Sequence, residues 1–485
     1  MKKALPIILS LALGLTMAAQ PARSTKRGVS ENGFNHVEEI QSLSPGVGWF
    51  YNWGNLPNNQ IADVVGPGTD MEFVPMIWSA SFNEQNLRNY LTEHPGVKYL
   101  LGYNEPNFSS QANMTPDSAA RLWPIVEQIA RDFNLKLVAP ALNYSGEALR
   151  DGRVYQPTDW MDAFLAAYPD AHFDYLALHC YMNSASAQLG YVENFAKRYG
   201  KQVWLTEFCS WEGNVDSVSQ KRSMVQKVHT LEESPYVYRY AWFKAKGSAT
   251  APYFRLLINQ NLLTHEPAWG TLSGTGKIYT YMSSYDTTYY WKTDAVIPAK
   301  DYISQVSVMI QENTDAESSQ ILQISEFDIY ARAGYNVEIP KTGNYTLDLR
   351  VSTRAFLETP QIRVFCDGEK VADQVLSETG MTDSQDVWQT QTIKNIPLPA
   401  GKHVIELRSA RSTTCKINWL RLRGQAVAGD VNGDGIIDIS DVSIAVDVLL
   451  GLDKDPDHYA AANMNGDTIV DIGDINRIID ILLGL

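Results

Sequence analysis

Eight short apolar segments alternate with amphipathic stretches between residue 27 and about residue 285, and this alternation constrains the fold most. The candidate strands are residues 27–30, 46–53, 72–79, 98–106, 136–143, 173–181, 202–209 and 236–243. Several are apolar throughout, which is typical of parallel strands buried on both faces. Eight such units over about 255 residues predict a (β/α)8 TIM barrel.

Helical periodicity lies between these strands and supports the same interpretation. The candidate helices are residues 83–94, 116–133, 159–169, 217–231 and 275–285. A doubly wound open sheet is the alternative, but no glycine-rich phosphate-binding loop follows the first strand. We therefore expect the barrel to occupy residues 26–286.

The pattern changes after Asp286, where short alternating strands separated by turns begin. Examples are residues 335–340, 345–352, 362–368, 403–410 and 416–424. They predict a β-sandwich of the jelly-roll type over residues 290–425. Residues 428–485 contain a repeat instead, because 430–452 match 463–485 at an offset of 33. Each half is a polar loop followed by a helix, so the chain is expected to be multidomain with a small all-α end.

The N-terminus has the pattern of a secretory signal. MKK precedes the apolar run PIILSLALGLTMA, and the small residues Ala18 and Ala19 follow. The alternative is a membrane anchor, but the run is shorter than the roughly 20 residues that span a bilayer. We expect residues 1–22 to be a signal peptide, the protein to be secreted, and no segment to span a membrane.

The net charge restricts the classes of molecule that this protein can bind. The formal net charge of −15 argues against nucleic acid and anionic membranes, which require clustered Lys and Arg. A neutral polymer is compatible with this charge, and 12 Trp and 25 Tyr can stack on sugars or fill cores.

The four cysteines permit two disulfides, Cys180–Cys209 and Cys366–Cys415, or buried thiols.

Two glutamates end apolar strands of the predicted barrel. Glu105 ends the fourth strand and Glu207 the seventh, at the barrel face where catalytic residues lie. A structural ion pair is the alternative, with only Lys244 and Lys246 near the neighbouring strand ends. Two carboxylates, one protonated and one ionised, are what glycoside hydrolysis requires.

The motifs GWFYNWG (48–54), FVPMIW (73–78), LLGYNEPN (100–107), LHCY (178–181) and WLTEF (204–208) resemble clan A glycoside hydrolases, and family 128 in particular. The resemblance implies a retaining endo-β-1,3-glucanase without a catalytic cofactor. It implies that Glu105 is the acid/base and Glu207 the nucleophile. Asn104 would bind the sugar 2-hydroxyl, with His179 and Tyr181 on the floor of the site.

Five tryptophans at or near strand ends are candidate sugar platforms, and each is equally a candidate core residue. They are Trp49, Trp53, Trp78, Trp211 and Trp242.

The sandwich region resembles carbohydrate-binding module family 6 through YNVEIPKTGNYTLDLRVS, Asp367-Gly368, LPAGKHVIEL and INWLRL. The resemblance implies a sugar site that uses Tyr335, Trp388 and Asn418. IPAKDY (297–302) lacks the acidic pair usual in that family, so its calcium site is not expected here. A sandwich that only braces or spaces the enzyme is the alternative.

The terminal repeat carries oxygen donors at the spacing of calcium loops. The first loop offers Asp430, Asn432, Asp434, Asp438 and Asp441, with the carbonyl of Ile436. The second loop offers Asn463, Asn465, Asp467, Asp471 and Asp474, with the carbonyl of Ile469. Thr468 replaces the usual glycine in the second loop, which predicts weaker binding there. Two polar turns without calcium are the alternative.

This pair of loops resembles a type I dockerin with two F-hand-like loops. The resemblance implies structural Ca²⁺ and a cohesin partner on a scaffold or cell-surface complex, with Ile439-Ser440 and Ile472-Gly473 as recognition pairs. A calcium-stabilised tail without a cohesin partner is the alternative.

The sequence thus predicts a secreted enzyme that cleaves β-1,3-glucan such as laminarin internally, with retention. One alternative is a clan A hydrolase of another β-linked polysaccharide, such as a β-1,4-glucan or mannan. The other is a non-catalytic glycan-binding or assembly protein.

Overall fold

The computed structural model describes residues 21–261, 263–355, 358–411, 414–424, 428–433 and 436–485. Nearly all of the predicted signal peptide, residues 1–20, lies outside this range. Among the described helices, none has the length and apolar character needed to cross a bilayer.

Eight parallel strands form the first region. They are β1 (Arg27–Ser30), β2 (Trp49–Tyr51), β3 (Glu72–Phe73), β4 (Tyr99–Leu101), β5 (Lys136–Leu142), β6 (Tyr175–Cys180), β7 (Val203–Phe208) and β8 (Val237–Phe243). Their order is β3-β2-β1-β8-β7-β6-β5-β4. A parallel bridge joins Met76, three residues after β3, to Leu101 in β4, with Leu101 N–H donating to Pro75 O at 2.9 Å. The sheet therefore curls until its edges meet, as a barrel does.

Seven α-helices accompany these strands. They are α1 (Val37–Leu43), α2 (Glu84–Glu93), α3 (Pro116–Asp132), α4 (Pro157–Ala167), α5 (Ala185–Tyr199), α6 (Ser217–Glu233) and α7 (Gly274–Tyr281), with a 3-10 turn at Ala62–Val64. Helices α1 and α5 were not predicted. Helix α1 has only seven residues, and α5 contains Gly190 and few buried apolar positions. Ser184 caps α5 by accepting from Ala187 N–H, and Gly200 ends it in a left-handed conformation.

Two antiparallel sheets form the second region. Their strands are β9 (Trp291–Lys292), β10 (Ile297–Pro298), β11 (Ser304–Val306), β12 (Met309–Glu312), β13 (Leu322–Glu326), β14 (Arg332–Ile339), β15 (Gly343–Arg354), β16 (Gln361–Cys366), β17 (Glu369–Val375), β18 (Gln389–Leu398), β19 (Gly401–Ser409) and β20 (Thr414–Gly424). One sheet has the order β12-β13-β20-β15-β18, with β10 on β20, and the other has β11-β14-β19-β16-β17. Strand β9 joins β14 in parallel.

The second region packs against α6 and α7 of the first. Arg222 on α6 donates to both carboxylate oxygens of Glu326, at 2.9 and 2.7 Å. Ser283 Oγ donates to Tyr302 O at 2.5 Å, and the rings of Tyr285 and Tyr302 meet edge to face at 5.8 Å. These contacts attach the sheets to the barrel's outer surface.

Three helices form the C-terminal region: α8 (Ile439–Leu449), α9 (Pro456–Ala462) and α10 (Ile472–Leu483). Ala445, Ile475 and Ile478 are buried between them. Helices α8 and α10 begin one residue after Asp438 and Asp471, each of which caps its helix. The two halves of the repeat therefore bury their helices together.

All four cysteines are buried free thiols. The structure thus matches the thiol alternative for Cys180, Cys209, Cys366 and Cys415, and neither permitted disulfide is present.

The buried guanidinium of Arg27 ties β1 to α6 and to the segment after α7. It lies 3.3 Å from Glu232 Oε1, with side chains only 1% and 5% exposed, and it donates to Ser283 O at 2.6 Å. Removing one partner of a buried ion pair leaves the other charged and unpaired, which costs about 3–5 kcal/mol.

We therefore expect Arg27→Met to lower the free energy of unfolding by about 3–5 kcal/mol, measured by urea denaturation with tryptophan fluorescence. Arg222→Met is the matched control. It breaks a half-exposed pair with Glu326, and such pairs contribute about 1 kcal/mol or less. Equal losses in the two variants would contradict this role of Arg27.

Candidate active site

The predicted catalytic glutamates lie at the carboxyl end of the barrel, but in different settings. Glu207 is inside β7, whereas Glu105 follows β4 by four residues. Glu105 has a φ of 42°, an uncommon backbone conformation for a residue with a side chain. Its N–H donates to Ala141 O at 2.9 Å, which holds the loop against β5.

A register shift between β6 and β7 turns Glu207 inward. Leu178 pairs with Leu205, but the next pair is His179 with Glu207, so Thr206 is the extra residue. Trp204 belongs to the apolar cluster inside the barrel, whereas Leu205 and Phe208 belong to the cluster packed against the helices. Strict alternation would direct Glu207 toward the helices. The shift restores it to the interior beside His179.

Glu105, His179 and Glu207 form a compact group. One carboxylate oxygen of each glutamate and one ring nitrogen of His179 lie within 4.8 Å of one another. Retaining glycosidases hold their carboxyl groups about 5–5.5 Å apart, and inverting enzymes hold them about 6.5–9.5 Å apart. A distance of at most 4.8 Å between one oxygen of each carboxylate is compatible with the retaining arrangement.

Glu207 is surrounded by hydrogen-bond donors. Its Oε1 accepts from Trp53 Nε1–H at 2.8 Å and from Tyr51 O–H at 3.1 Å. Its Oε2 accepts from Tyr181 O–H and lies 3.3 Å from His179 Nδ1. Donors of this kind stabilise the ionised carboxylate and hold it in one orientation.

Glu105 has fewer partners. Its Oε1 lies 2.9 Å from His179 Nδ1 and accepts from Asn143 Nδ2 at 3.1 Å. Only 8% of Glu105 and 5% of Glu207 are exposed, so both carboxyl groups lie in a largely dehydrated site.

Burial and neighbouring charges shift the pKa values in opposite directions. Burial raises the pKa of Glu207, and the charge of Glu105 adds to this increase. Burial would also raise the pKa of Glu105, but the charge and hydrogen bond of His179 outweigh it, and the pKa of Glu105 is lowered. Burial would lower the pKa of His179, but the charges of Glu207 and Glu105 outweigh it, and the pKa of His179 is raised above 6.5. The lowered pKa of Glu105 and the raised pKa of His179 both favour an ion pair between these two side chains.

Asn104 lies beside Glu105 as predicted and is 2% exposed. Its N–H donates to Trp78 O at 2.9 Å, and its Nδ2 donates to Gln111 Oε1 at 3.4 Å. Its buried Oδ1 has no hydrogen-bond partner within the described ranges. The side chain thus retains an acceptor that a sugar hydroxyl could use.

Three predicted tryptophan platforms are at least partly exposed: Trp53, Trp78 and Trp211. Trp211 is 43% exposed and stacks on Phe254 at 5.2 Å. Trp53 and Trp211 both pack against Phe243 in T-shaped geometry, with ring centroids 6.0 and 5.9 Å apart. Trp53, Phe243, Trp211 and Phe254 together form an aromatic wall that begins at Trp53, a hydrogen-bond donor to Glu207.

The prediction of a sugar platform is wrong for Trp49 and Trp242, because both are 0% exposed. Trp49 lies deep inside the barrel, donates to Lys26 O, and fills the space beside Gly28, where a Cβ would lie 2.2 Å from the indole. Trp242 belongs to the cluster packed against the helices and donates to Phe254 O. Both are core residues.

Tyr51 and Asn143 were missed. Tyr51 shares the inward face of its strand with Trp49, two residues before Trp53. Asn143 directly follows β5 at the same edge as Glu105. The rule that barrel strands end at the active site could have identified both.

The other predicted sugar site is only partly assembled. Trp388 lines a cavity of about 620 Å³ with Asp315, Arg350 and Lys416. The prediction is wrong for Tyr335 and Asn418, because both are 0% exposed. Tyr335 donates to Ala299 O, and Asn418 donates to Asn313 and Asp315, so both brace the sandwich.

The two polar loops before α8 and α10 are each closed by a buried aspartate. Asp441 accepts from the N–H groups of Asn432 and Asp438, at 2.9 and 2.8 Å. Asp474 accepts from Asn465 N–H at 3.1 Å and Asp471 N–H at 2.9 Å. Asp434 lies outside the described residues. The other predicted calcium ligands are also oxygen atoms, the ligand type that Ca²⁺ prefers.

Comparison with known proteins identifies the barrel region. The glycosyl hydrolase catalytic core model matches residues 28–279, which is more than half of the chain. The chain belongs to the glycosyl hydrolase catalytic core family. The prediction that the chain contains a glycoside hydrolase catalytic domain is thus confirmed.

Individual relatives agree with this family. A family 128 (subgroup II) endo-β-1,3-glucanase from Pseudomonas viridiflava is 37% identical, covering 54% of this chain and 98% of that chain, with a TM-score of 0.47. A family 128 (subgroup I) enzyme from Amycolatopsis mediterranei, solved with laminaritriose, is 27% identical, covering 53% of this chain and 98% of that chain, with a TM-score of 0.40.

Alkali-sensitive linkage protein 1 of Schizosaccharomyces pombe is 28% identical over 247 residues, which are 49% of this chain. The match spans 41% of the length of that curated relative. The sequence identity to the Pseudomonas enzyme over nearly its whole length supports the resemblance to family 128.

Opposite pKa shifts predict opposite effects of neutral substitutions at pH 7. The lowered pKa of Glu105 means that its ionised form adds stability above its unfolded pKa, and this stability is lost as pH falls. The raised pKa of Glu207 means that its ionised form costs stability at the same pH. We expect Glu105→Gln to lower the melting temperature and Glu207→Gln to raise it, each by roughly 2–4 °C. Calorimetric shifts of the same sign in both variants would show that the charges are not arranged in this way.

Proposed function

We propose that the barrel hydrolyses β-1,3-glucan internally with retention of anomeric configuration. The observation that carries this proposal is the buried pair Glu105 and Glu207, held within 4.8 Å through His179. Glu207, oriented by Trp53, Tyr51 and Tyr181, attacks the anomeric carbon. Glu105 protonates the leaving oxygen and later removes a proton from water.

The family and the aromatic wall support the choice of substrate. The similar enzymes from Pseudomonas and Amycolatopsis are endo-β-1,3-glucanases, and the second was solved with laminaritriose. Trp53, Trp78 and Trp211 supply apolar faces on which glucose rings can stack. Asn104 supplies a buried acceptor beside the acid/base, suited to the sugar 2-hydroxyl.

We expect the purified protein to release β-anomeric oligosaccharides from laminarin, observed by proton NMR during the first turnovers. Glu207→Gln should lose at least about 10³-fold in kcat, because nucleophile and general-acid groups supply factors of this order. Trp269→Phe, an exposed position stacked on His36, is the control and should retain activity. α-Anomeric first products, or unchanged hydrolysis by Glu207→Gln, would exclude this mechanism.

The same assay separates the remaining alternatives. Hydrolysis of a β-1,4-glucan or mannan in preference to laminarin would show that the same mechanism acts on another polysaccharide. Release of glucose alone would indicate exo action. If the protein hydrolyses none of these polysaccharides, the result would favour the alternative of a non-catalytic glycan-binding protein.

We propose that the sandwich contributes a sugar-binding surface at Trp388. Its indole lies beside a cavity with charged and polar walls, a combination that suits a polyhydroxylated ligand. If the proposal holds, Trp388→Ala lowers laminarin retention in affinity electrophoresis without changing the hydrolysis of short oligosaccharides. Unchanged retention would favour the bracing role.

We propose further that the protein is exported, that residues 428–485 bind Ca²⁺, and that they dock onto a cohesin domain. Asp441 and Asp474 are 0% exposed at the twelfth position of their loops. Ile439 and Ile472 are 71% and 63% exposed at the starts of α8 and α10, where a partner could cover them.

We expect calcium titration of the full-length chelated protein to increase helical ellipticity. Asp441→Asn should raise the Kd of the tighter calcium site at least about tenfold, because one negatively charged ligand is lost. Asp447→Asn, on the exposed side of α8, is the control and should bind normally. A cohesin domain should co-sediment only with the calcium-loaded protein. Calcium-independent helices would contradict the proposal.

A further inference from the structure

His179 contacts both catalytic carboxylates through a single ring nitrogen. Its Nδ1 lies 2.9 Å from Glu105 Oε1 and 3.3 Å from Glu207 Oε2, and the side chain is 0% exposed. One Nδ1–H hydrogen can point fully at only one of these oxygens at a time. The contact to Glu105 is the shorter and stronger of the two.

The second ring nitrogen does not take part in this exchange. His179 Nε2 is buried, and within the described ranges it has no hydrogen-bond partner. A proton that moves between His179 and the protein therefore moves through Nδ1, toward Glu105 or Glu207.

We propose that His179 stores the proton that Glu105 delivers to the leaving oxygen and takes it back at the end of each turnover. This role rests on the proposed hydrolase function. His179 acts through Glu105 and is therefore a positioning and proton-holding residue, without contact to the reacting carbon.

The cycle balances in protons and electrons. Before reaction His179 is an imidazolium and both glutamates are carboxylates. The Nδ1 proton moves to Glu105, which gives it to the glycosidic oxygen as Glu207 forms its bond to the anomeric carbon and the bond to the leaving oxygen breaks. Glu105 then accepts a proton from the attacking water while the ester to Glu207 breaks. That proton returns to Nδ1, and the net change is the addition of one water.

Electrostatics favours this arrangement over two carboxylates alone. Two adjacent buried negative charges repel strongly, and an imidazolium between them reduces the net charge of the group to −1. The charged groups that act on His179 are Glu207 and Glu105. Tyr51 and Tyr181 face it indirectly through Glu207, and both have raised pKa values, so they remain neutral donors.

A purely structural His179 predicts a different result from a proton-holding one. Proton delivery matters when the leaving group is a sugar alcohol, and it hardly matters when the leaving group is an acidic phenol. Damage to the geometry of Glu207 would slow both substrates. The dependence of rate on the leaving group therefore separates the two roles.

His179→Gln keeps a hydrogen-bond donor but removes the titratable proton. We expect its kcat/KM to fall about 100-fold on laminarin and less than about threefold on 2,4-dinitrophenyl β-laminaribioside. Tyr181→Phe is the matched control, because it removes a donor to the nucleophile and should slow both substrates by similar factors. Equal losses on the two substrates in His179→Gln would overturn the proposal.

A second measurement needs no catalysis and covers the case in which His179→Gln fails to fold. Imidazole ¹⁵N NMR of the intact protein should show His179 titrating above pH 6.5, and Glu105→Gln should lower its pKa by about one unit or more. The ¹⁵N resonances of His403, which pairs with Asp367 in the sandwich, are the internal control and should be the same in Glu105→Gln and in the wild-type protein. A His179 pKa at or below 6.5, or one unaffected by Glu105→Gln, would overturn the proposal. Inactivity of the wild-type protein on every glucan would instead refute the hydrolase function.

Discussion

The contact of one histidine nitrogen with two buried carboxylates is the interaction on which the rest of the site depends. Glu105 and Glu207 are nearly dehydrated, and two such charges at this separation would repel strongly without a cation between them. In the proposed mechanism His179 supplies that cation, and its Nδ1 proton lies nearest Glu105. The donors around Glu207 then need only orient it, since the charge balance of the group is already set.

The barrel brings Glu105, His179 and Glu207 together at one end of its strands. Residues on β6 and β7 meet through an altered register, and Glu105 is held by a backbone bond to β5. Beneath them, Trp49 fills the barrel interior against Trp204 at 5.0 Å, and Arg27 joins β1 to the outer helices. A rigid layer below the site allows strained positions such as Glu105 to persist above it.

The eight strands and most barrel helices could be predicted from apolar periodicity, because burial on both faces of a parallel sheet leaves a clear pattern. Helix α5 could not, since its buried positions are sparse. The placement of Glu105 and Glu207 at one end of the barrel could be predicted from the strand ends, but the inward orientation of Glu207 depends on a register shift that no local sequence pattern reveals. Trp49 and Trp242 show the same limit. Their residue type and their position near strand ends suggested sugar platforms, but the direction of each side chain and its depth in the barrel make both of them core residues.

Hydrolysis with retention requires Glu207 to form a covalent bond to the sugar. A 2-deoxy-2-fluoro laminaribioside with an activated leaving group should form this bond quickly and release it slowly. Peptide mass spectrometry after brief incubation tests this directly. We expect an added mass of one fluorinated disaccharide on the peptide that contains Glu207. An unlabelled protein that still hydrolyses laminarin, or a label on Glu105, would contradict it.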